Sequence, residues 1–309
     1  MIVRISYDYA IKCKAAALSD VCDDIVRYGH YISCESKTQE YLMKVVSENG
    51  SKTLRDAMRN STEVFDFRTK LQQKYMRTVE LDDVLISSGA LGKPSVVILE
   101  NAPYEWDVYH HMAESYKHDP SFGSLFSLLV RYMDNHCLAA YNGGGWCQHD
   151  KHVLLLENEM GYKNVGKLKL FCLMDSDSPK EGNIPSDKKK VCNFLCETTD
   201  CSLKELPIYT LRQDAYTWHM WYKRAIENYF PDKAYRAAGM DPADLPPLQA
   251  QRDYACIADC VRGYEKEKLK KLPEKMSRKD YESGLKHFII NKVDYSEIQL
   301  FLLKLVYMI

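Results

Sequence analysis

The sequence predicts an α/β protein built on a mainly parallel β-sheet with helices on its faces. Between residues 93 and 232, short apolar segments rich in β-branched residues alternate with longer segments of helical periodicity, which is typical of βαβ units. Three of the short segments end in acidic residues or glycines. Residues 1–92 and 233–309 show helical spacing, so we expect a helical N-terminal region and a helical C-terminal region around the α/β domain.

Length and composition are those of a globular protein. The 309 residues correspond to about two domains, and 46% of them are apolar, which argues against wholesale disorder. The formal net charge of −1 excludes a polycation, so any basic surface for nucleic acid has to be local.

The sequence also predicts a cytoplasmic protein. The first twenty residues carry charges throughout and contain no apolar core of a signal peptide, and no run of about 18 apolar residues occurs in the chain. The eleven cysteines are an odd number and are scattered through predicted helices and strands. We therefore interpret them as reduced thiols, and we expect no association with a membrane.

The N-terminal region begins with predicted helices. The segment KTQEYLMKVVSENGS, 37–51, has apolar residues at helical spacing and ends its helix at Asn49-Gly50. The segment 51–77 continues the same pattern. The small residues of SSGALGKP, 87–94, then predict a linker before the α/β domain.

The α/β domain follows as strands alternating with helices. The predicted strands are SVVILE at 95–100, CLAAYN at 137–142, KLKLFCLM at 167–174 and a candidate fourth, PIYTL at 207–211. The predicted helices cover 106–118, 122–136, 149–160, 187–199 and 215–230.

The C-terminal region is predicted to consist of charged helices interrupted by a proline-rich turn at 242–247. Its last segment, IQLFLLKLVYMI, is apolar but short and contains Lys304. We expect this segment to form a terminal helix that packs on a core or on a partner.

Three predicted strands carry chemically useful residues at their carboxyl ends. Glu100 follows the first strand, Gly143, Gly144 and Gly145 follow the second, and Asp175 and Asp177 follow the third. Ligands of parallel sheets bind at this edge, where the ends of neighbouring strands meet. Carboxylates are the ligands that Mg²⁺ or Mn²⁺ prefers, so we expect a metal site formed by the three acidic residues.

These motifs resemble the Toprim domain, the catalytic fold shared by topoisomerases, primases, small RNA-maturing nucleases and OLD-family nucleases. The pattern VVILEN, YNGGG and LMDSD is similar to the family's glutamate, glycine turn and Asp-x-Asp in that order. The segment YKRAIENYF is similar to the R-x-I-E-N-Y helix of OLD-like nucleases and of stand-alone Toprim proteins in bacterial anti-phage defence. Its matching residues are Arg224, Glu227, Asn228 and Tyr229. The resemblance covers roughly residues 95–232.

The resemblance implies metal-assisted cleavage of a phosphodiester bond with one or two ions. Asp175 and Asp177 would hold one Mg²⁺ or Mn²⁺, and Glu100 would bridge to it or act as general base. A second ion would use Glu227 with Glu105 or Asp107, because the family's usual second acidic position is Tyr104 here. An ordinary ion pair with Arg224 is the alternative for Glu227.

Basic residues near these motifs are candidates for neutralising a phosphate, although a solvated helix face is the alternative for the lysine run. They are Lys167, Lys169, Lys180, Lys188, Lys189, Lys190 and Arg224. The three glycines would let a phosphate approach the backbone.

The adjacent His110 and His111 are interpreted as surface or core residues, and not as ligands of one metal ion, because neighbours on a helix point about 100° apart.

The resemblance therefore implies a nuclease that cuts RNA or DNA as the toxic effector of an anti-phage defence system. No G-x-x-x-x-G-K-[ST] motif is present, so a sensor or ATPase would be a separate protein. The sequence also leaves open whether the chain forms a homo-oligomer. The alternatives are a catalytically silent Toprim scaffold or nucleic-acid-binding subunit, and a primase-like or topoisomerase-like protein.

Overall fold

The computed structural model describes residues 1–59, 70–145, 148–163, 165–197, 215–272, 276–282 and 284–309. Its architecture is α/β, with two parallel sheets, one antiparallel hairpin and flanking helices. The strands are β1 Ile2–Arg4, β2 Tyr31–Ser33, β3 Thr78–Glu80, β4 Ser95–Leu99, β5 Leu138–Asn142, β6 Leu170–Met174, β7 Thr217–Met220, β8 His287–Ile290 and β9 Val293–Ser296.

The helices lie on both sides of the sheets, and 3₁₀ turns at Ala90–Gly92, Ile226–Tyr229 and Lys266–Lys271 supplement them. The α-helices are α1 Tyr7–Ala10, α2 Ala15–Arg27, α3 Ser36–Asn49, α4 Lys52–Arg59, α5 Lys70–Tyr75, α6 Asp83–Ser87, α7 Ala102–Ser115, α8 Gly123–Asp134, α9 His149–Glu159, α10 Gly166–Lys169, α11 Ser186–Cys196, α12 Asp232–Ala237, α13 Gln249–Arg252, α14 Ile257–Cys260, α15 Arg278–Tyr281 and α16 Glu297–Met308. Within these described elements, no helix is both long and apolar enough to cross a bilayer.

The larger sheet has the strand order β5-β4-β6-β7, and each pair of adjacent strands in it is parallel. The two central strands are completely buried, which explains why their sequences, SVVIL and LFCLM, are apolar except for Ser95. Helices connect the successive strands, so all four strands end at one edge. The predicted parallel sheet is therefore confirmed.

Successive side chains of the central strands enter two different cores, because strand residues alternate between the faces of a sheet. Val97 and Leu99 pack into a core with α7, α8 and α16. Val96 and Ile98 pack into a second core, which they share with the N-terminal region.

The prediction of a helical N-terminal region was incomplete. Its helices surround a second parallel sheet of order β2-β1-β3. Each of these strands has only three residues, which is too short to give a recognisable period-2 pattern. The described part of the N-terminal region is thus α/β and not only helical, and the predicted helix at 37–51 is confirmed as α3.

The prediction of one helix over 215–230 was wrong. Thr217–Met220 is the fourth strand of the larger sheet, and the chain turns through Ile226–Tyr229 as a 3₁₀ helix. The strand has only four residues, and apolar residues recur at helical spacing through the segment, at Trp218, Trp221, Ala225 and Tyr229. The candidate strand PIYTL lies outside the described residues.

The C-terminal region is also less helical than predicted. It contains the hairpin β8-β9, whose turn residues Asn291 and Lys292 have φ angles of 51° and 66°. Positive φ at both residues is typical of a two-residue hairpin turn. The terminal helix is confirmed as α16, and every residue of it except Gln299 is buried.

Candidate metal centre

The carboxyl edge of the larger sheet brings the predicted motifs together. Glu100 directly follows β4, Gly143 follows β5, and Asp175 follows β6. Because the strands are parallel and β4 lies between β5 and β6, these residues meet at the same edge. The order of motifs in the chain therefore becomes a row of neighbours in space.

The loop after β6 is fixed by the loop after β7. The amide of Asp177 donates to the carbonyl of Arg224 at 2.9 Å, and the Ser176 hydroxyl donates to the carbonyl of Lys223 at 2.7 Å. The amide of Ile226 donates to Asp175 Oδ1 at 2.9 Å. The segment that resembles R-x-I-E-N-Y thus contributes backbone groups that position the two aspartates.

Asp177 itself has a left-handed backbone, with φ of 49°. Aspartate tolerates this region better than most residues, because its short polar side chain can bond locally. With this bend, the carbonyl of Asp175 and the carboxylate of Asp177 both contact the ammonium of Lys188.

Lys188 holds the centre of this edge. Its ammonium lies 3.2 Å from Glu100 Oε1 and 2.7 Å from Asp177 Oδ2, and it donates to the carbonyl of Asp175. The same oxygen of Glu100 accepts a hydrogen bond from the amide of Asp175 at 3.2 Å. The Lys188 side chain is 0% exposed. It is therefore an internal counterion here, and not the solvent-facing phosphate ligand that the sequence predicts.

Two further carboxylates complete the cluster. Burial, together with the negative charges of Glu100 and Glu227, raises the pKa of Glu105 to about 8. Glu227 accepts a hydrogen bond from the Tyr264 hydroxyl at 2.8 Å through Oε1. Its Oε2 is buried and has no hydrogen-bond partner among the described residues.

The structure separates the two candidates for the second acidic position. Glu105 is buried beside the cluster, whereas Asp107 is exposed on α7. Two residues along a helix correspond to a rotation of about 200°, so one of the two side chains has to face away. Glu105 is the candidate that the fold brings to Glu100 and Glu227.

Several carboxyl groups of the cluster lie close to one another and share one internal cation, Lys188. Burial raises the pKa of Asp175 well above its usual range, and Glu100, Glu227 and Glu105 raise it further. Burial likewise raises the pKa of Glu100, and the charge of Asp177 adds to the effect while Lys188 opposes it. Hard oxygen donors, mutual repulsion of neighbouring carboxylates and an unpartnered buried oxygen of Glu227 together fit a divalent cation.

A more compact group of possible metal ligands lies elsewhere. Among the described residues, His110, Glu114 and Asp134 are the one set of three whose ligand atoms all lie within 4.8 Å of each other. His110 Nε2 is 2.7 Å from Asp134 Oδ1, and all three side chains are at least partly exposed. The interpretation of His110 as a surface residue is compatible with this position on α7.

The glycines form the turn that follows edge strand β5. The Gly143 amide donates to the carbonyl of Leu99 at 2.7 Å, and a Cβ there would lie 3.0 Å from that oxygen. Gly144 has a φ of 62° and open space around it. The first glycine is therefore required for close packing, and the next for backbone conformation.

The predicted phosphate-neutralising residues divide by exposure. Lys180, Lys189 and Lys190 are exposed, and Arg224 is half-buried. Lys167 pairs with Glu197 at 2.5 Å. Lys169 is 0% exposed and donates to the carbonyl of Lys93 at 2.9 Å, so it cannot meet a phosphate in this structure.

Sequence reasoning missed one residue of this centre and gave another, Lys188, a solvent-facing role. Tyr264, the hydrogen-bond partner of Glu227, lies in a region predicted only as charged helix. Lys188 was assigned by its charge to the surface, and its helix α11 carries Lys189 and Lys190 beside it. The one available signal is helical position, because Lys188 shares the buried face of α11 with Val191, Cys192 and Leu195.

Comparisons of the chain with protein-family models, with curated proteins and with solved structures found no match. The likeness to Toprim proteins therefore depends on the sequence motifs alone.

Proposed function

We propose that this protein is a metal-dependent nuclease of the Toprim type, which hydrolyses phosphodiester bonds of RNA or DNA. The observation that carries the proposal is one row of motifs at one sheet edge. The glutamate follows β4, the glycine turn follows β5 and Asp-x-Asp follows β6. These strands are adjacent in the parallel sheet of order β5-β4-β6-β7. Glu105 and Glu227 add carboxylates to this row.

The proposed ligands divide into two sets. Asp175, Asp177 and Glu100 would hold one Mg²⁺ or Mn²⁺, and Glu105 and Glu227 would hold a second. When bound, such ions polarise the phosphoryl oxygens and lower the pKa of the attacking water. A group of hard carboxylates with little internal countercharge supports this assignment.

The protein's own residues would position the substrate and move the proton. Glu100 lies at the centre of the row and is the proposed general base, because its raised pKa favours proton uptake. Exposed Lys180 and Lys189 would neutralise the phosphate charge. The turn of Gly143, Gly144 and Gly145 would let the phosphate approach the backbone.

The proposed cellular role is the toxic effector of an anti-phage defence system, with a separate sensor or ATPase as regulatory partner. This part rests on the resemblance of YKRAIENYF to stand-alone Toprim proteins of such systems. A silent scaffold and a primase-like or topoisomerase-like protein are the competing functions, and the experiment below distinguishes the nuclease from a scaffold.

The test is a cleavage assay with labelled RNA, single-stranded DNA and duplex DNA, each with Mg²⁺, Mn²⁺ or EDTA. We expect cleavage that requires the metal and is lost in Asp175→Asn and Glu100→Gln, because both variants remove a proposed ligand but keep the shape. Asp107→Asn is the matched control, since the fold leaves that carboxylate outside the cluster, and it should keep its activity. Absence of cleavage of every substrate would contradict the proposal, and equal activity of Asp175→Asn would contradict the site.

A further inference from the structure

A cavity of about 440 Å³ adjoins the candidate metal centre. One side of it is formed by Ser176 and Ser178, which alternate with Asp175 and Asp177 along the same loop. The two aspartates contact Ile226 and Lys188, whereas the two serines line the cavity. The cavity is therefore lined by the same short loop that carries the two aspartates.

The wall of the cavity is largely apolar and aromatic. Trp221 and Tyr222 follow β7, Phe288 comes from the hairpin, and Ile184 and Leu300 complete the apolar surface. Flat rings are the natural occupants of a space with several aromatic side chains in its wall, because stacked and edge-to-face contacts stabilise them. The volume is within the range of small-molecule sites.

Buried polar groups lie at one end of the cavity. His219, Glu297 and Lys304 all line it and are each less than 5% exposed. The Lys304 ammonium lies 3.0 Å from His219 Nδ1, so we assign the proton of the ring to Nε2. That Nε2 has no hydrogen-bond partner among the described residues, and Glu297 Oε1 is 3.7 Å away.

Glu297 is held in place by the loop after β7. Its Oε1 accepts a hydrogen bond from the Tyr222 amide at 2.5 Å, and its Oε2 accepts one from the Tyr229 hydroxyl. The polar end is thus a fixed group in which the donor of His219 is unsatisfied. A buried donor without a partner costs free energy, and a ligand that accepts from it would recover that cost.

The mouth of the cavity carries a cation. The Lys286 ammonium lies 3.1 Å from the Tyr222 hydroxyl and 3.4 Å from Glu181 Oε1, and its side chain is 42% exposed. An exposed ammonium at the entrance suits an anionic group outside an apolar chamber.

We propose that this cavity takes a nucleobase of the strand being cut, beside the phosphate held at the metal centre. The proposal rests on the proposed nuclease function and adds to it the way in which the strand is positioned. A base combines a flat apolar face for Trp221 and Phe288 with a polar edge for His219. The phosphate of the same nucleotide would lie near Lys286. An aliphatic ligand would leave the His219 donor unpaired, whereas a base removed from its stack satisfies both kinds of surface.

The first test measures binding without catalysis. In EDTA, nucleoside 5′-monophosphates are titrated against the full-length protein by calorimetry, with ribose 5-phosphate as the ligand that lacks the base. We expect the nucleotides to bind at least about tenfold more tightly than the sugar phosphate, since one stacked base contributes that much. Equal affinity for the two ligands would overturn the proposal.

Variants of the wall locate the binding. Phe288→Ala removes an aromatic ring from the wall and Leu300→Phe fills the chamber, and we expect each to weaken nucleotide binding at least about fivefold. Ile289→Ala is the matched control, because Ile289 is the next residue of β8 and is 79% exposed. Thermal unfolding of each variant checks that it is folded. Unchanged binding in both folded wall variants would contradict the site.

The second test uses cleavage and separates this proposal from the nuclease itself. Substrates with a single abasic nucleotide at successive positions around the mapped cut should lose cleavage at one position. If all abasic substrates are cut like the intact one and nucleotides do not bind, the base site is wrong and the nuclease stands. If nucleotides bind in a Phe288-dependent manner but no nucleic acid is cut, the base site stands and the nuclease function fails.

Discussion

Lys188 shows at the level of one residue how the acidic edge is held together. Its ammonium contacts Glu100 and Asp177 at 3.2 and 2.7 Å and is fully buried. Removing one partner of such a group leaves carboxylates uncompensated in a partly dry environment. The fold therefore depends on this lysine as well as on its apolar cores.

We predict that Lys188→Met lowers the free energy of unfolding in EDTA by about 2 kcal/mol, less than for a completely buried pair because Glu100 and Asp177 are partly exposed. Chemical denaturation measures the change. Lys189→Met is the control, since Lys189 is the exposed neighbour on α11 and should have little effect. Equal stability of the two variants would show that Lys188 is not the counterion.

The second prediction at this scale concerns Lys169 and pH. Burial lowers the pKa of Lys169 from 10.5 to about 7, so the folded chain binds fewer protons than the unfolded chain between these values. The free energy of unfolding of the native protein should therefore rise with pH through this window, relative to Lys169→Met. From pH 7 to pH 9 we expect a relative gain of about 2 kcal/mol.

Urea unfolding of both proteins at the two pH values measures this gain. Lys151→Met, which removes an exposed lysine, should show no such dependence. A difference between native protein and Lys169→Met that is the same at pH 7 and pH 9 would refute the shifted pKa.

At the scale of elements, α16 depends on its first turn. The Gln299 amide donates to the Ser296 hydroxyl at 3.2 Å, and the Gln299 side chain accepts from the Ser296 amide at 2.9 Å. This reciprocal cap satisfies amides that would otherwise have no partner in a buried helix start.

We predict that Ser296→Ala lowers the free energy of unfolding by about 1 kcal/mol, the usual cost of losing a helix cap. Thermal or chemical denaturation measures it. Ser296→Thr keeps the hydroxyl acceptor and should retain most of the stability. A loss as large in the Thr variant as in the Ala variant would mean that packing at Ser296, and not the cap, is responsible.

The elements also show what the sequence was able to predict. β4 and β6 are recognisable because five consecutive buried residues form an apolar run, and their ends carry Glu100 and Asp175. β7 was predicted as helix, because its four residues lie within a longer segment whose apolar residues recur at helical spacing, and β1 to β3 are too short to show any period. The site was predicted as a set of strand ends, whereas the buried ammonium of Lys188 depends on how α11 packs.

At the scale of the whole molecule, the N-terminal sheet and the larger sheet share one core. Val3 and Ile32 lie in the same apolar cluster as Ile98 and Cys172. Buried Arg77 connects the two units further by donating to the Lys167 carbonyl at 2.5 Å. The N-terminal region therefore covers one face of the sheet that carries the candidate metal centre.

We predict that a fragment of residues 93–309 does not fold cooperatively, because it would expose the Val96 and Ile98 face of β4 to water. Binding of a hydrophobic dye and loss of the near-ultraviolet circular dichroism of the full chain would measure this. The full-length protein is the control and should unfold in one transition. A fragment that unfolds with the same sharp transition would show that the larger sheet needs no cover.

Lys188 finally has a consequence for loading of the site. An ion bound between Glu100 and Asp177, as proposed, would have to displace the ammonium of Lys188, so that binding would be an exchange of one cation for another. If releasing the ammonium costs about 2 kcal/mol, the apparent dissociation constant for Mg²⁺ is about 30-fold higher than that of the bare carboxylates. The tethered cation would then set a threshold concentration of free metal below which the proposed enzyme stays silent.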